Sequence, residues 1–111
     1  MDHTAAVFKA LSDPTRLRLA VLLAVRGETC VCALAEALDA PDFKISRHLG
    51  ILRAAGLVQA RREGTWMYYQ LAKPRNLFEE QLHQGLRDYL ANEKSMKADF
   101  RRLAKASCYG K

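Results

Sequence analysis

Two cysteines stand one residue apart in this sequence, in the segment Cys30-Val31-Cys32, and a third, Cys108, lies near the end of the chain. A pair of thiolates at this spacing can chelate one soft metal ion, because soft ions prefer sulfur ligands. Three is an odd number of cysteines and too few for a disulfide framework. In a reducing compartment they remain thiols that are available for metal or redox chemistry.

The position of the pair relative to a helix limits how it can bind an ion. Residues two apart on a regular helix point about 200° away from each other. Both thiols therefore cannot bind one ion from within a helix: either Cys30 lies before the helix, or binding unwinds the first turn. Unwinding would move the helix that follows, which gives a physical route from ligand binding to a distant site.

A basic segment follows the cysteines. Residues 44–64 contain five cations and one anion, and the whole chain of 111 residues has a net charge of +6 and a pI near 9.5. This balance favours a polyanionic partner, with nucleic acid first and a membrane surface as the competing choice. Arg61 and Arg62, at the tip of an expected hairpin, would contact phosphates or the minor groove.

The helix expected over Lys44–Ala55 could read the bases of duplex DNA. With about 3.6 residues per turn, Ser46 and Arg47 lie on a different face of this helix from its apolar residues. Arg47 can hydrogen-bond a guanine edge, Ser46 a base or a phosphate, and Lys44 a phosphate. Phe43 could touch a thymine methyl group, or it could pack as a staple at the start of the helix. The alternative is a solvated basic face on an ordinary helical domain.

The order of the expected elements favours DNA binding. We expect helices over Thr4–Leu11, Pro14–Val25, Cys32–Leu38 and Lys44–Ala55, a brief extended piece at Glu28–Val31, strands over Leu57–Glu63 and Thr65–Leu71, and one long helix from about Asn76 to Lys105. Asp13 is expected to cap the second helix and Gly56 to end the fourth. This is a mainly α chain with a small β-hairpin (α+β). The order is that of a winged helix-turn-helix, expected to form a single domain over residues 1–111.

Other classes of function are disfavoured. The chain has three histidines, no glycine-rich phosphate loop and no G-x-S-x-G motif, so we do not expect an enzyme. No apolar run approaches the roughly 20 residues of a bilayer span, and the N-terminus lacks the features of a signal peptide. We therefore expect a cytoplasmic protein with no membrane partner.

Three stretches resemble the ArsR/SmtB family of bacterial metalloregulatory repressors. Residues 8–19 resemble the start of the family's sequences, residues 45–58 the recognition helix and the residues after it, and residues 61–71 the wing. Together they make up about a third of the chain, and they lie in the family's order between residues 8 and 71. The resemblance implies a homodimer with the first and last helices at the interface. It also implies repression in the ligand-free state and release from operator DNA when an inducer binds. Pro41-Asp42-Phe43 departs from the Ser-Gln that relatives often place there, which leaves the operator sequence open.

The resemblance also bears on what the cysteines bind. Residues 28–35 are similar to the cysteine-bearing helix of arsenic- and cadmium-sensing members. In the arsenic sensors a third cysteine stands where this chain has Ala35. We therefore expect Cys108, from its own or the partner subunit, to join Cys30 and Cys32 in a three-thiolate site for the inducer As(III) or Sb(III). Two thiols alone could favour a methylated arsenical.

Several alternatives stay open at this point. A repressor of the same fold could respond to cadmium, lead or zinc, or to a thiol-redox or persulfide switch among the three cysteines. The alternative of another class is a protein-interaction or architectural module without an effector. In that case the cysteines are small buried hydrophobic residues.

Overall fold

The computed structural model describes residues 1–106, and within that range it contains six α-helices and three β-strands. The helices are α1 (Asp2–Leu11), α2 (Pro14–Arg26), α3 (Val31–Leu38), α4 (Asp42–Ala54), α5 (Leu77–Gln84) and α6 (Lys97–Lys105), and the strands are β1 (Thr29–Cys30), β2 (Val58–Glu63) and β3 (Trp66–Leu71). The predicted winged helix-turn-helix is confirmed, with α3 and α4 as the helix pair and β2–β3 as the wing. Within the described residues, no helix is both long and apolar enough to cross a bilayer.

Local sequence signals set the ends of the helices. The side chain of Asp13 accepts a hydrogen bond from the backbone N–H of Arg16 at 3.1 Å, and Pro14 opens α2. A capping carboxylate followed by proline suits the first turn of a helix. Gly27 ends α2 with a φ of 85°, and Gly56 follows α4 with a φ of 81°. Both angles lie in the region that favours glycine, as predicted for Gly56.

The wing belongs to a three-stranded antiparallel sheet with the order β1-β3-β2. In the hairpin, Glu63 lies opposite Trp66, next to the turn. On the other side of β3, Cys30 of β1 lies opposite Tyr68. The sequence predicted the extended piece but not its pairing with β3. This pairing attaches the wing directly to the segment that carries the cysteines.

The core lies where α2, α3 and α4 meet the sheet. α2 is apolar on most sides, as predicted, because its middle is surrounded by the other elements. The fully buried large side chains of these three helices are Leu19, Val21, Leu22, Leu23, Leu34, Ile45, Leu49 and Leu52.

The long helix predicted from Asn76 to Lys105 is wrong. α5 ends at Gln84 and is followed by a π-helical turn and two short 3₁₀ turns, with Glu93 between the latter in an extended conformation (φ −62°, ψ 138°). This break lets α6 pack against α3. Asp99 of α6 is buried there and pairs with Arg18 of α2, a contact that requires α6 to lie against α2. Burial of this side of α6 overrides the helical period of the sequence.

Candidate nucleic-acid interface and thiolate pair

α4 presents a polar and basic face to solvent. Lys44, Ser46 and Arg47 are exposed, as the sequence predicted. The apolar side chains on the other side of the helix are fully buried, and they fix which face is outward. α4 follows α3 after a turn of three residues, which is the geometry in which a second helix enters the major groove. The three side chains are therefore available to a duplex.

Contacts from α2 position this helix. The Arg16 guanidinium donates to Nδ1 of His48 at 3.4 Å and to the carbonyl of Ala10 at 2.6 Å. Burial lowers the pKa of His48, which favours the neutral ring that can accept the hydrogen bond from Arg16. His48 is thus a positioning residue that joins α4 to α2 and, through Arg16, to α1.

The two wing arginines differ in their surroundings. Arg61 donates to both carboxylate oxygens of Glu28, at 3.0 and 2.8 Å, and to Glu63 at 2.8 Å. Its guanidinium also lies 4.7 Å from the centre of the Tyr68 ring. These hydrogen bonds raise the pKa of Arg61 and lower the pKa of Glu28. A phosphate would have to compete with Glu28 for Arg61, whereas Arg62 is exposed on the same strand. DNA contact by both arginines stays a prediction.

Glu28 is a residue that sequence reasoning missed. Its carboxylate ties the wing to the segment immediately before Cys30. The proximity of Glu28 to Arg61 depends on the pairing of β1 with β3, for which the sequence offers no local signal.

Cys30 and Cys32 bring their sulfur atoms to 3.3 Å from each other. Cys30 lies in β1 with extended backbone (φ −78°, ψ 155°) and precedes α3, whereas Cys32 lies in the first turn of α3. Of the two alternatives drawn from the sequence, the first is therefore observed: Cys30 is outside the helix. The first turn of α3 does not have to unwind for both sulfurs to face one ion.

Cys32 lies beside both the exposed helix α4 and the wing. A cavity of about 210 Å³ lies between Cys32, Ser46 of α4 and Trp66 of β3. A second, open cavity of about 570 Å³ runs from Cys32 along the turn between α3 and α4, past Glu36 and Asp42. A ligand at Cys32 would therefore lie against the recognition helix and beside the wing.

A third metal ligand is not found in the part of the chain that the structure describes. Residues 1–106 contain no group of three His, Cys, Asp or Glu side chains that could hold a metal ion. Cys108, the predicted third thiolate, lies outside the described residues.

Known proteins with similar sequences are transcriptional regulators. A family model described as "Bacterial regulatory protein, arsR family" matches residues 13–60. The arsenic resistance transcriptional regulator ArsR1 of Pseudomonas putida is 44% identical over 98 residues, which are 88% of this chain and 75% of that protein. The arsenical resistance operon repressor of Escherichia coli is 38% identical over 104 residues, which are 94% of this chain and 87% of that protein.

A solved structure agrees with these relatives. The homodimeric winged helix-turn-helix DNA-binding domain Mb0332 of Mycobacterium bovis, described as a possible ArsR-family transcriptional regulator, has a TM-score of 0.64 and 39% identity, covering 77% of this chain and 72% of that one. The fold, the exposed basic helix α4 and the sequence similarity therefore all indicate a DNA-binding regulator. The chain belongs to the arsR family of bacterial regulatory proteins and is a winged helix-turn-helix, DNA-binding transcriptional repressor, not an enzyme.

Proposed function

We propose that this repressor leaves its operator when the thiolates of Cys30 and Cys32 bind a thiophilic inducer, with As(III) or Sb(III) as the first candidates. The observation that carries this proposal is the 3.3 Å separation of the two sulfur atoms at the junction of β1 and α3. The similarity to arsenic resistance regulators of P. putida and E. coli over most of the chain supports the choice of inducer.

The separation of the sulfurs favours a pyramidal centre over a tetrahedral one. With metal–sulfur bonds of about 2.3 Å, two sulfurs at this separation subtend an angle of about 90° at the ion. A tetrahedral ion with the same bond length would need its sulfurs about 3.8 Å apart. Trivalent arsenic and antimony carry a lone pair that compresses the bond angles toward the smaller value. As(III) or Sb(III) therefore fits the two sulfurs nearly where they lie, whereas a tetrahedral ion would need them about 0.5 Å further apart.

Cys108 is the proposed third ligand. It follows Ala106, the last described residue, by two positions, and α6 packs against α3, which carries Cys32. Two residues of extended chain reach about 7 Å, so Cys108 of the same subunit is a candidate beside Cys108 of the partner subunit. Each thiol that binds As(OH)₃ displaces one hydroxyl group as water, so three thiols complete the exchange. Two suffice for a methylated arsenical.

Inducer binding can reach the DNA-binding elements by two short routes. α3 packs against α4, and the cavity beside Cys32 is lined in part by Ser46. Cys30 pairs with Tyr68 of β3, so a shift of β1 moves the wing. Allosteric release requires contacts that differ between the bound and free states. An ion that holds the two sulfurs together supplies such a difference at both the recognition helix and the wing.

The proposed operator contacts are those of α4 and the wing. Arg47 and Ser46 read base edges, and Lys44 and Arg62 contact phosphates. Arg61 joins them when a phosphate displaces Glu28. Because a repressor works where the operator lies, we also infer a cytoplasmic location.

Self-association follows from the exposed apolar side chains of α1 and α5. Phe8 is 57% exposed, Leu77 67% and Phe78 39%, and the rings of the two phenylalanines lie 5.6 Å apart. A contiguous apolar surface of this kind typically marks an interface. We propose that α1 and α5 form the homodimer contact, α5 being the first part of the predicted last helix.

The test is fluorescence anisotropy of the reduced protein on its own upstream DNA, titrated with arsenite and in parallel with cadmium. We expect the complex to dissociate at near-stoichiometric arsenite. The variants Cys30→Ser and Cys32→Ser should bind DNA but ignore arsenite, and Cys108→Ser should respond only at higher concentration. Thr29→Ser, which keeps a hydroxyl beside the pair, is the matched control and should respond normally.

Each other result points to one of the remaining interpretations. Release by cadmium alone would contradict the arsenic assignment and indicate a cadmium-type sensor. A complex that ignores both metals but dissociates with peroxide or persulfide would indicate a thiol switch. If no specific complex forms on any duplex, the chain is an interaction module without an effector.

A further inference from the structure

Phe43 stands out among the apolar side chains of α4. It is 72% exposed, whereas Ile45, Leu49 and Leu52 are 0% exposed. Single exposed apolar residues are common on protein surfaces, so its exposure alone decides nothing. Its position is more informative, because it lies in the first turn of the helix that faces DNA.

The structure excludes the packing role that the sequence allowed for this residue. A hydrophobic staple joins the residue before the N-cap to the fourth residue of the helix. The N-cap of α4 is Pro41, so those two positions are Ala40 and Ile45. Phe43 is the second residue of the helix, and its ring is largely in solvent.

Phe43 shares its face with the proposed base-reading residues. Ser46, Arg47 and Gly50 follow it by three, four and seven positions, which places all four on one side of the helix. All four are exposed. A Cβ added at Gly50 would meet nothing within 4 Å, so this face is open to an approaching duplex. In helix-turn-helix proteins the N-terminal residues of the second helix contact base edges.

We propose that Phe43 determines part of the operator specificity by contacting the C5-methyl group of a thymine in the major groove. Apolar side chains recognise thymine in this way, and no other base carries that methyl group. The thymine would lie in the same half-site as the base pair that Arg47 contacts. This inference rests on the proposed function, because α4 must be the helix that reads the operator.

The test replaces each thymine of the operator, one at a time, by deoxyuridine, which lacks only the methyl group. Removing one buried methyl contact should weaken binding about fourfold. We expect the wild-type protein to show this loss at a particular thymine in each half-site. Phe43→Ala should bind more weakly and lose its response to deoxyuridine at that position, while Phe43→Leu should keep it. Ile51→Ala, which changes another partly exposed apolar residue of α4, is the matched control.

The outcomes separate this inference from the proposed function. A specific complex in which no thymine is sensitive to loss of its methyl group overturns the inference alone. The same holds if Phe43→Ala keeps the wild-type response to deoxyuridine. If the wild-type protein forms no specific complex with any duplex, the proposed function fails and the inference fails with it.

Discussion

The variant Asp99→Asn should lower the free energy of unfolding by about 2–3 kcal/mol. The Asp99 carboxylate is buried, at 1% exposure, and accepts hydrogen bonds from Arg18 at 2.7 and 2.8 Å and from Arg102 at 3.0 Å. Asparagine keeps the shape but removes the charge and turns an NH₂ group toward a guanidinium. Breaking a buried ion pair costs about 3–5 kcal/mol. The expected loss is smaller because the Arg18 side chain is 36% exposed and regains water.

The measurement is urea unfolding followed by circular dichroism. Variants and wild type are compared at one protomer concentration, because the proposed dimerisation would contribute to the measured stability. The matched control is Asp88→Asn, since the Asp88 side chain is 61% exposed and lies 3.6 Å from Arg87. Its free energy of unfolding should change by no more than about 0.5 kcal/mol. If both variants unfold at the same urea concentration, the buried ion pair does not hold α6 on the rest of the protein.

The same variant also tests the proposed third ligand. α6 carries Asp99 and leads toward Cys108. If α6 docking places Cys108, Asp99→Asn should need more arsenite for release from DNA while binding the operator normally without arsenite. An unchanged arsenite response in a measurably destabilised variant would separate α6 from inducer binding.

Three further predictions follow from individual contacts. Asp13→Ala removes the N-cap of α2 and should cost about 1 kcal/mol in urea unfolding, and an unchanged midpoint would contradict the capping role. The side-chain hydrogen bonds from Arg75 lower the pKa of Glu79 below its ordinary 4.5, so its contribution to stability is complete above pH 4.5 and is lost as the pH falls through the lowered value. In Glu79→Gln the free energy of unfolding should therefore fall less steeply than in the wild type as the pH is lowered below 4.5. Glu28→Gln should leave Glu63 as the remaining carboxylate partner of Arg61, so that a phosphate displaces it more easily. Binding should then strengthen and depend more steeply on salt, by about one unit of log–log slope. Anisotropy across a salt series measures this, and an unchanged slope would show that Arg61 does not reach the DNA.

The ends of α2 and α4 and the solvent-facing side of α4 were predictable because their signals are local. Asp13 and Pro14 mark the start of α2, and Gly56 marks the end of α4, through backbone preferences that need no distant partner. The outward position of Arg47 follows from helical geometry once the apolar side chains of α4 are assigned to the core.

The geometry of the thiolate pair was only partly predictable. The spacing of Cys30 and Cys32 left two possibilities, a helix that unwinds or a first cysteine outside the helix. Pairing of β1 with β3 decides between them, because it holds Cys30 in extended backbone opposite Tyr68. That pairing joins segments almost forty residues apart, and a two-residue strand has too little pattern of its own to specify a partner.

The path of the chain after α5 was also only partly predictable from the sequence. Periodicity over residues 76–105 favours one helix, and the period itself carries no information about where the chain bends. Burial of Asp99 between Arg18 and Arg102 is available only when α6 meets α2 and α3, so tertiary contacts override the local pattern. Composition, caps and spacing thus specified the class of fold, the exposed basic face of α4 and the presence of a closely spaced cysteine pair. Long-range pairing alone brought the two sulfurs together, tied Arg61 to Glu28 and docked α6, because each depends on residues that are distant in sequence and adjacent only after folding.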